Sequence, residues 1–545
     1  MKAFNSVVRE NNIETLKNQK LDLLIIGGGI TGAGVARDAA SRGMKVGLIN
    51  SNDFAFGTSS RSSKLIHGGV RYLENYEFSL VFEALSERAK LFEIAPHLVH
   101  PLRFMIPVFK ESRVGMFLMG MGMWLYDALS LFEAPELHER LNSEESIDRV
   151  PSLRNKNLKG SYVYSDAYMD DDRLVHETLR SANEFGAYSV NYVKADDVEM
   201  IEGKICAVNC TDEISGEKLK VKAKHFISTV GPWTDKLANN IFDDWKSILR
   251  PSKGVHLTIS KNRIPLKNAV VMGAEKGNRI IFAIPRHEMV IIGTTDTDYQ
   301  GDPADVKTEV EDVKYILEVT NSYFPNANLE VSDIIASYAG IRPLVDDGSS
   351  SEGKTSREHT IINDPRNITF VAGGKYTTYR KIAEDCMNSV LNYYDFEQRV
   401  KFNKSNTLIP LNPNVNESNL LKTRMKKDLI TKQTGLSKKS VELLIERHGA
   451  ECLTMLDKWS GWLDRSVWCV EAMQAIETTM CMHLVDFYIR RTPLFLAFAD
   501  HGESFRHDIT KVFAGYYNWD DEQIAEENKM LDKHFDTELA WKKTI

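Results

Sequence analysis

An unbroken apolar run, Leu21 to Ile26 (LDLLII), passes directly into Gly27-x-Gly29-x-x-Gly32, and no other feature restricts the fold of this chain as strongly. A run of this kind marks a parallel strand buried on both faces. Gly27 then permits a tight turn, Gly29 lets the backbone approach a ligand closely, and Gly32 lets the following helix pack on the sheet. A helical pattern through Ser41 and a second short strand, Lys45 to Ile49 (KVGLI), complete a βαβ unit of about 30 residues. The helix N-terminus offers free N–H groups and the positive end of its dipole to a pyrophosphate. The spacing therefore predicts a Rossmann-type dinucleotide-binding unit. Where an acidic residue is expected at the end of the second strand to bind ribose hydroxyls, this chain has Asn50, which can accept from a hydroxyl but without charge assistance.

The 545 residues amount to three or four units at roughly 150 residues per domain. Tyr76 to Ile94 reads as an amphipathic helix halted by Pro96. Strands are predicted at Tyr188–Val193, Lys204–Asn209, His225–Thr229, Val255–Ile259, Arg279–Ile284, Met289–Ile292 and Ile368–Ala372, and their alternation reads as antiparallel. Beyond a segment rich in proline and asparagine, Val441–Arg447, Val467–Arg491 and Asp521–Trp541 carry helical periodicity. The predicted fold class is α/β, with a Rossmann-type unit interleaved with an antiparallel-sheet substrate unit and followed by an all-helical domain. The expected boundaries are 1–75, 150–250 and 340–395 for the dinucleotide unit, 76–149 and 251–339 for the substrate or cap unit, 396–419 for a linker, and 420–545 for the helices.

A hydroxyl-rich stretch follows the βαβ unit, GTSSRSSKLIHGGVRYLE at 57–74, and the chain also carries GGGITGAG (27–34), APHLVHPLRF (95–104), STVGPWTD (228–235), KGVHL (253–257), IIGTTDTDYQGDP (291–303), AGIRPL (339–344) and GGKYTTYRKIAE (373–384). Together, and in this order, these motifs resemble the FAD-dependent glycerol-3-phosphate dehydrogenases, within the wider D-amino-acid-oxidase-like flavoprotein group. Asn50 is the main departure from the family pattern. The resemblance implies non-covalent FAD, oxidation of sn-glycerol 3-phosphate to dihydroxyacetone phosphate, electron transfer to a membrane quinone, and peripheral association with the cytoplasmic membrane. It places FAD contacts on Gly27, Gly29, Gly32, Thr58, Ser59, Ser63, Lys64, Gly231, Trp233, Gly374, Lys375, Thr377 and Thr378.

Oxidising a secondary alcohol that bears a phosphate sets its own demands. A near-dianion needs fixed cations, with arginine favoured for bidentate binding, and the hydroxyl proton needs a base. Arg71 and Arg342 are the candidate clamps, and Lys375, at a strand-to-helix turn, can contact substrate or flavin. His256 in KGVHL is the preferred base and His67 in IHGG the alternative. Tyr72 can hydrogen-bond the substrate or shield the flavin, and Thr295 and Asp296 are expected to tie down the substrate-side sheet.

Composition excludes several classes. With 68 Lys plus Arg against 76 Asp plus Glu, a net charge of -8, the chain lacks the basic surplus of a nucleic-acid binder. Six cysteines are too few for a disulfide scaffold and point to a reducing compartment, and the Cys206/Cys210 spacing has no second ligand pair, so no metal site is expected. Met1 to Lys20 has no apolar core of a signal peptide. Cytoplasmic location, or a peripheral position on the cytoplasmic face of the inner membrane, is expected; a homodimer is compatible with the sequence. The apolar stretch Met116 to Phe132 reads first as a core or interdomain packing helix and second as a surface for a bilayer or lipophilic partner. Lys422 to Lys439, with seven Lys/Arg and Asp428 as its one acid, reads first as a solvated helical face and second as a dock for anionic lipid. The rival functions are a glycerol-3-phosphate oxidase that reduces O2 to peroxide, an amine or amino-acid oxidase, and a flavin sensor without turnover.

Overall fold

Leu21–Ile26 forms a strand in which every residue but Asp22 is buried, as its apolar run requires. The computed structural model describes residues 1–274, 279–346, 348 and 358–544, and among these the strands form one sheet of eight and one of ten. In the first sheet, Leu21–Ile26 runs parallel between Val46–Ile49 and Lys218–Ser228. Tyr188–Val190 and Ile368–Gly373 continue the sheet in parallel on either side. The antiparallel reading of the strands at 188 and 225 is thus corrected, whereas Ile368–Gly373 is parallel to Lys218–Ser228 on one side and antiparallel to His359–Asp364 on the other. Lys218–Ser228 explains the difference, because it alternates exposed and buried residues up to Lys224 and is wholly buried from His225 onward. Its alternating half pairs antiparallel with Lys204–Asp212, while its buried half sits at the centre of the parallel sheet. One strand serves two layers, and only the first half shows in its pattern.

The ten-stranded sheet is mostly antiparallel. Leu249–Ser260 pairs with Ile334–Val345 and Met289–Gly293, and Val99–Phe109 pairs with Leu158–Met169 along its full length. Leu158–Met169 therefore belongs to this sheet although it falls within 150–250, the span expected for the dinucleotide unit. The segment expected as a linker, 396–419, is packed against that unit. Leu411 and Val415 are buried, and Arg37 donates to the Thr407 and Ile409 carbonyls at 2.7 Å each.

Helices occupy most of the chain from Glu417 to Glu538. The predicted helical stretch 467–491 is two helices, Val467–Thr479 and Leu484–Arg490, separated by Met480 with φ at 50°. The Met480 N–H donates to the Phe4 carbonyl at 2.7 Å, so a contact with the N-terminus replaces helix continuation. Met116–Leu129 buries Gly120, Met123, Tyr126 and Asp127 but exposes Phe117, Leu118, Met121, Trp124 and Leu125. The packing-helix reading holds for one face alone.

Candidate active site

The turn after Leu21–Ile26 is built so that glycine is required. Gly27 adopts φ +113°, and a Cβ there would lie 2.7 Å from the Thr229 carbonyl oxygen. A Cβ on Gly32 would lie 1.9 Å from the Gly27 oxygen, so the helix Ile30–Ser41 can approach only without a side chain. The segment 50–62 closes over this turn. The Asn50 Oδ1 accepts from Gly28 N–H at 2.8 Å, and its Nδ2 donates to the Asn52 and Asp53 carbonyls at 2.9 Å each. Ser59 Oγ accepts from Ile30 N–H at 3.0 Å, the first turn of the helix.

Between the two sheets lies a cavity of about 680 Å³, within the range of about 300–1,000 Å³ usual for cofactor and ligand sites. It begins at the glycine turn and ends against Leu249–Ser260 and Ile334–Val345, which supply His256 and Arg342. Its charged lining is Arg61, Lys194, Lys236, Arg342 and Lys375 against Glu213 alone. The helix N-terminus and the glycine cradle suit a dinucleotide diphosphate, and the cations on the walls suit a second anion.

Arg342 is held as a clamp. Its guanidinium donates to Thr294 Oγ1 at 2.8 Å, to the Thr295 carbonyl at 3.1 Å and to Asp296 Oδ1 at 3.2 Å. Asp296, expected to tie down the sheet, also accepts from Ser252 Oγ, so it orients Arg342 as well. His256 is buried, its ring stacked on Tyr338 with centroids 4.7 Å apart. Burial, with Arg342 and Lys64 nearby, holds its pKa well below the ordinary 6.5, so the ring is neutral. Its Nε2 lies 2.9 Å from Ser63 Oγ, while Nδ1 has no hydrogen-bond partner among the described residues. The Lys375 ammonium sits 3.7 Å from the centroid of the Tyr72 ring. His67 lines the cavity and is tied to the other wall, its N–H donating to Thr377 Oγ1 at 3.1 Å.

The structure gathers Gly27, Gly29, Asn50, Thr58, Ser59, Ser63, His67, Tyr72, Gly231, Trp233, His256, Arg342, Gly374, Lys375 and Thr377 around one cavity. Four predicted residues stand apart from its lining. Gly32 acts through packing, as its spacing implies. Lys64 is buried with its ammonium on Asp171, which keeps it charged and turned away. Thr378 is buried one residue beyond the wall. Arg71 precedes Tyr72 in the 3-10 helix Val70–Asn75, where successive side chains point about 120° apart. With Tyr72 facing the cavity, Arg71 lies outside it. Sequence reasoning missed Arg61, Lys194, Glu213 and Lys236 on the lining. Arg61 lies inside GTSSRSSK, and Lys236 lies one turn after Trp233, so both were within reach; Lys194 sits on the strand Val193–Ile201 and Glu213 in the turn after Lys204–Asp212, and neither segment carries a motif.

A glycine turn feeding a helix, beside an antiparallel sheet that supplies a histidine and an arginine, defines a dinucleotide-binding oxidoreductase. A family model described as FAD dependent oxidoreductase matches residues 22–380, and a model of the C-terminal domain of alpha-glycerophosphate oxidase matches residues 418–524. The chain belongs to the FAD dependent oxidoreductase family, and its cofactor is FAD. It is 32% identical over 543 residues to an aerobic glycerol-3-phosphate dehydrogenase of Bacillus subtilis, covering 97% of both chains. It is 33% identical over 610 residues to an alpha-glycerophosphate oxidase of Streptococcus pyogenes, covering 98% of both. The structure of a glycerol-3-phosphate dehydrogenase from Bacillus halodurans complexed with FAD matches at a TM-score of 0.81 and 29% identity, with 98% of each chain covered.

Proposed function

We propose that this protein oxidises sn-glycerol 3-phosphate to dihydroxyacetone phosphate and passes the electrons to a membrane quinone on the cytoplasmic face of the membrane. The observation that carries the reading is that two cations, Arg342 and Lys375, line the same cavity as the neutral His256, a set that suits an alcohol bearing a phosphate. Bound FAD supplies the hydride acceptor. Arg342, fixed by Asp296, Thr294 and the Thr295 carbonyl, binds substrate oxygens, and Lys375 adds a second cation. The neutral His256 has its Nε2 beside Ser63 Oγ on the cavity wall, and this nitrogen serves as the base for the hydroxyl proton. Asn50 binds the dinucleotide indirectly, by fixing the Gly28 turn.

The dehydrogenase and oxidase relatives differ in length. The dehydrogenase alignment spans 543 residues, close to the 545 of this chain, whereas the oxidase alignment runs to 610. The oxidase thus carries segments with no counterpart here. Membrane contact rests on the exposed side chains Phe117, Leu118, Met121 and Trp124, on a helix that packs beside Phe78–Ile94 with its own exposed Phe78 and Phe82. No helix among the described residues is long and apolar enough to cross a membrane, so contact of this kind is interfacial.

Turnover of glycerol 3-phosphate with a soluble quinone analogue tests the acceptor. Equal rates in air and without air, with little peroxide, are expected; stoichiometric peroxide at full turnover would contradict the quinone reading. In parallel, Trp124→Glu is expected to lose sedimentation with anionic lipid vesicles while keeping its FAD.

A further inference from the structure

The helical C-terminal unit reaches the flavin-binding segment 50–62 at both ends, with opposite charges. At the start of the segment Asp53 is fully buried. It accepts from Arg490 Nε at 2.7 Å and from Arg491 Nη1 and Nη2 at 2.7 and 2.9 Å, with Asn191 Nδ2 at 3.2 Å. Both arginines are themselves fixed. Arg490 also donates to Asp486 at 2.6 Å, and Arg491 to Thr479 Oγ1 at 2.7 Å. Two arginines can reach one carboxylate because the helix breaks at Met480 and restarts as Leu484–Arg490.

At the far end, Arg61 lines the cavity, and its guanidinium lies 2.6 Å from Glu538 Oε1 and donates to the Ala339 carbonyl at 3.0 Å. Glu538 ends the last long helix, Asp521–Glu538, and does not line the cavity. The chain after it is stapled to the strand that carries Arg342. Ser337 Oγ donates to the Glu538 carbonyl at 2.9 Å, Trp541 Nε1 donates to Ser337 Oγ at 2.7 Å, and Lys542 Nζ donates to the Ile334 carbonyl at 2.7 Å.

Between these anchors the segment touches everything that shapes the site. Asn50 holds the Gly28 turn, Ser59 meets the helix N-terminus, and Ser63, just beyond, meets His256. Phe54 lies 2.7 Å from where a Gly28 Cβ would stand. Buried charges of this kind hold position strongly because leaving either partner alone in the interior is costly. We propose that the helical C-terminal unit is a two-point brace for the flavin segment: Arg490 and Arg491 on Asp53, and Glu538 on Arg61, set the affinity for FAD. They are positioning residues, acting through Asp53 and Arg61, and the proposal does not depend on which substrate or acceptor the enzyme uses.

The test uses the full-length protein, stripped of FAD and titrated with it. Glu538→Gln keeps the side-chain shape and one hydrogen bond but removes the charge, and its FAD dissociation constant is expected to rise by about tenfold or more. Its apoprotein should melt somewhat lower, because Arg61 loses a charged partner, so local exchange in the flavin segment, not the unfolding temperature, separates the brace from a purely structural bond. Hydrogen exchange in a peptide covering 50–62 should quicken in Glu538→Gln and slow again in Glu538→Asp. Asp53→Asn is expected to weaken FAD further; should it fail to fold, the Glu538 pair alone decides. An FAD dissociation constant within twofold of the unmodified protein in Glu538→Gln, with unchanged exchange at 50–62, would overturn the brace.

Discussion

Two sets of charges in this molecule differ in what they border. Around the cavity, Arg342 pairs with Asp296, Arg61 with Glu538 and Lys236 with Asp302, yet all three cations, with Lys375, also line open space. At the junction of the substrate sheet, the helix Asp171–Glu184 and the C-terminal helices, buried arginines pair with carboxylates away from the cavity. Arg286 pairs with Asp170 and Glu446 at 2.8 and 2.5 Å, Arg447 with Glu471 at 2.9 Å, and Arg180 with Glu177 and Glu451 at 2.7 and 2.6 Å. The junction histidine His448 is satisfied at both nitrogens, by Glu471 at 3.0 Å and Arg173 at 3.2 Å. A network closed on itself holds domains together; one that borders a cavity can also receive an anion. The two sets respond differently to the same kind of perturbation, and that makes the comparison testable.

The largest effect is expected from Arg342→Met, which should lower kcat/KM for glycerol 3-phosphate by about a thousandfold or more, on the scale of a lost bidentate charge clamp of about 4 kcal/mol, with the folded state intact. Steady-state kinetics checks this, and Arg342→Lys should recover only part of the loss. At the junction the cost falls on stability instead. Asp170→Asn takes one of two carboxylates from Arg286, which keeps Glu446, and is expected to cost about 1.5–3 kcal/mol, read in denaturant unfolding. A junction variant that kept its stability but lost turnover would break the comparison.

Acid separates the two sets next. His100 and His448 are held neutral by burial, their pKa values lowered to about 4 from 6.5. The unfolded chain binds protons at these sites below pH 6.5 while the folded chain does not. Stability should therefore fall as pH drops from about 6.5 to about 4, by about 1.4 kcal/mol per unit for each such histidine. Glu446, lowered to about 2 by Arg286 after its burial cost, adds a further loss as pH falls below its ordinary 4.5. The smallest effect concerns His256. The acid limb of kcat/KM should lie below 6.5, because its pKa is depressed in the free enzyme, and the limb should vanish in His256→Gln. An acid limb unchanged in that variant would remove His256 as the base.

The legible parts of this chain are those whose physics is local. LDLLII and the three glycines announced the turn, helix and strands, because a sterically exacting turn leaves its requirement in consecutive residues. His256 and Arg342 were likewise visible inside short motifs. What escaped depends on partners far along the chain. Lys218–Ser228 changes sheets midway, Leu158–Met169 crosses a boundary drawn by sequence order, and residues 396–419 read as a linker although Leu411 and Val415 are core. Asn50 looked like a weakened ribose ligand; its amide proved to be spent on the turn itself, donating to two carbonyls as no carboxylate can. Asp53 carried no signal at all, since its arginines lie more than four hundred residues away.

The central claim is that this cation-rich cavity delivers the C2 hydride of a phosphorylated alcohol to FAD. Its most direct test is the visible spectrum of the FAD-loaded protein, mixed without oxygen with glycerol 3-phosphate and, separately, with glycine and proline. Rapid, complete bleaching of the flavin by glycerol 3-phosphate, with none by the amino acids, is the predicted result. A flavin that stays oxidised with glycerol 3-phosphate, or that an amino acid bleaches, would contradict the account.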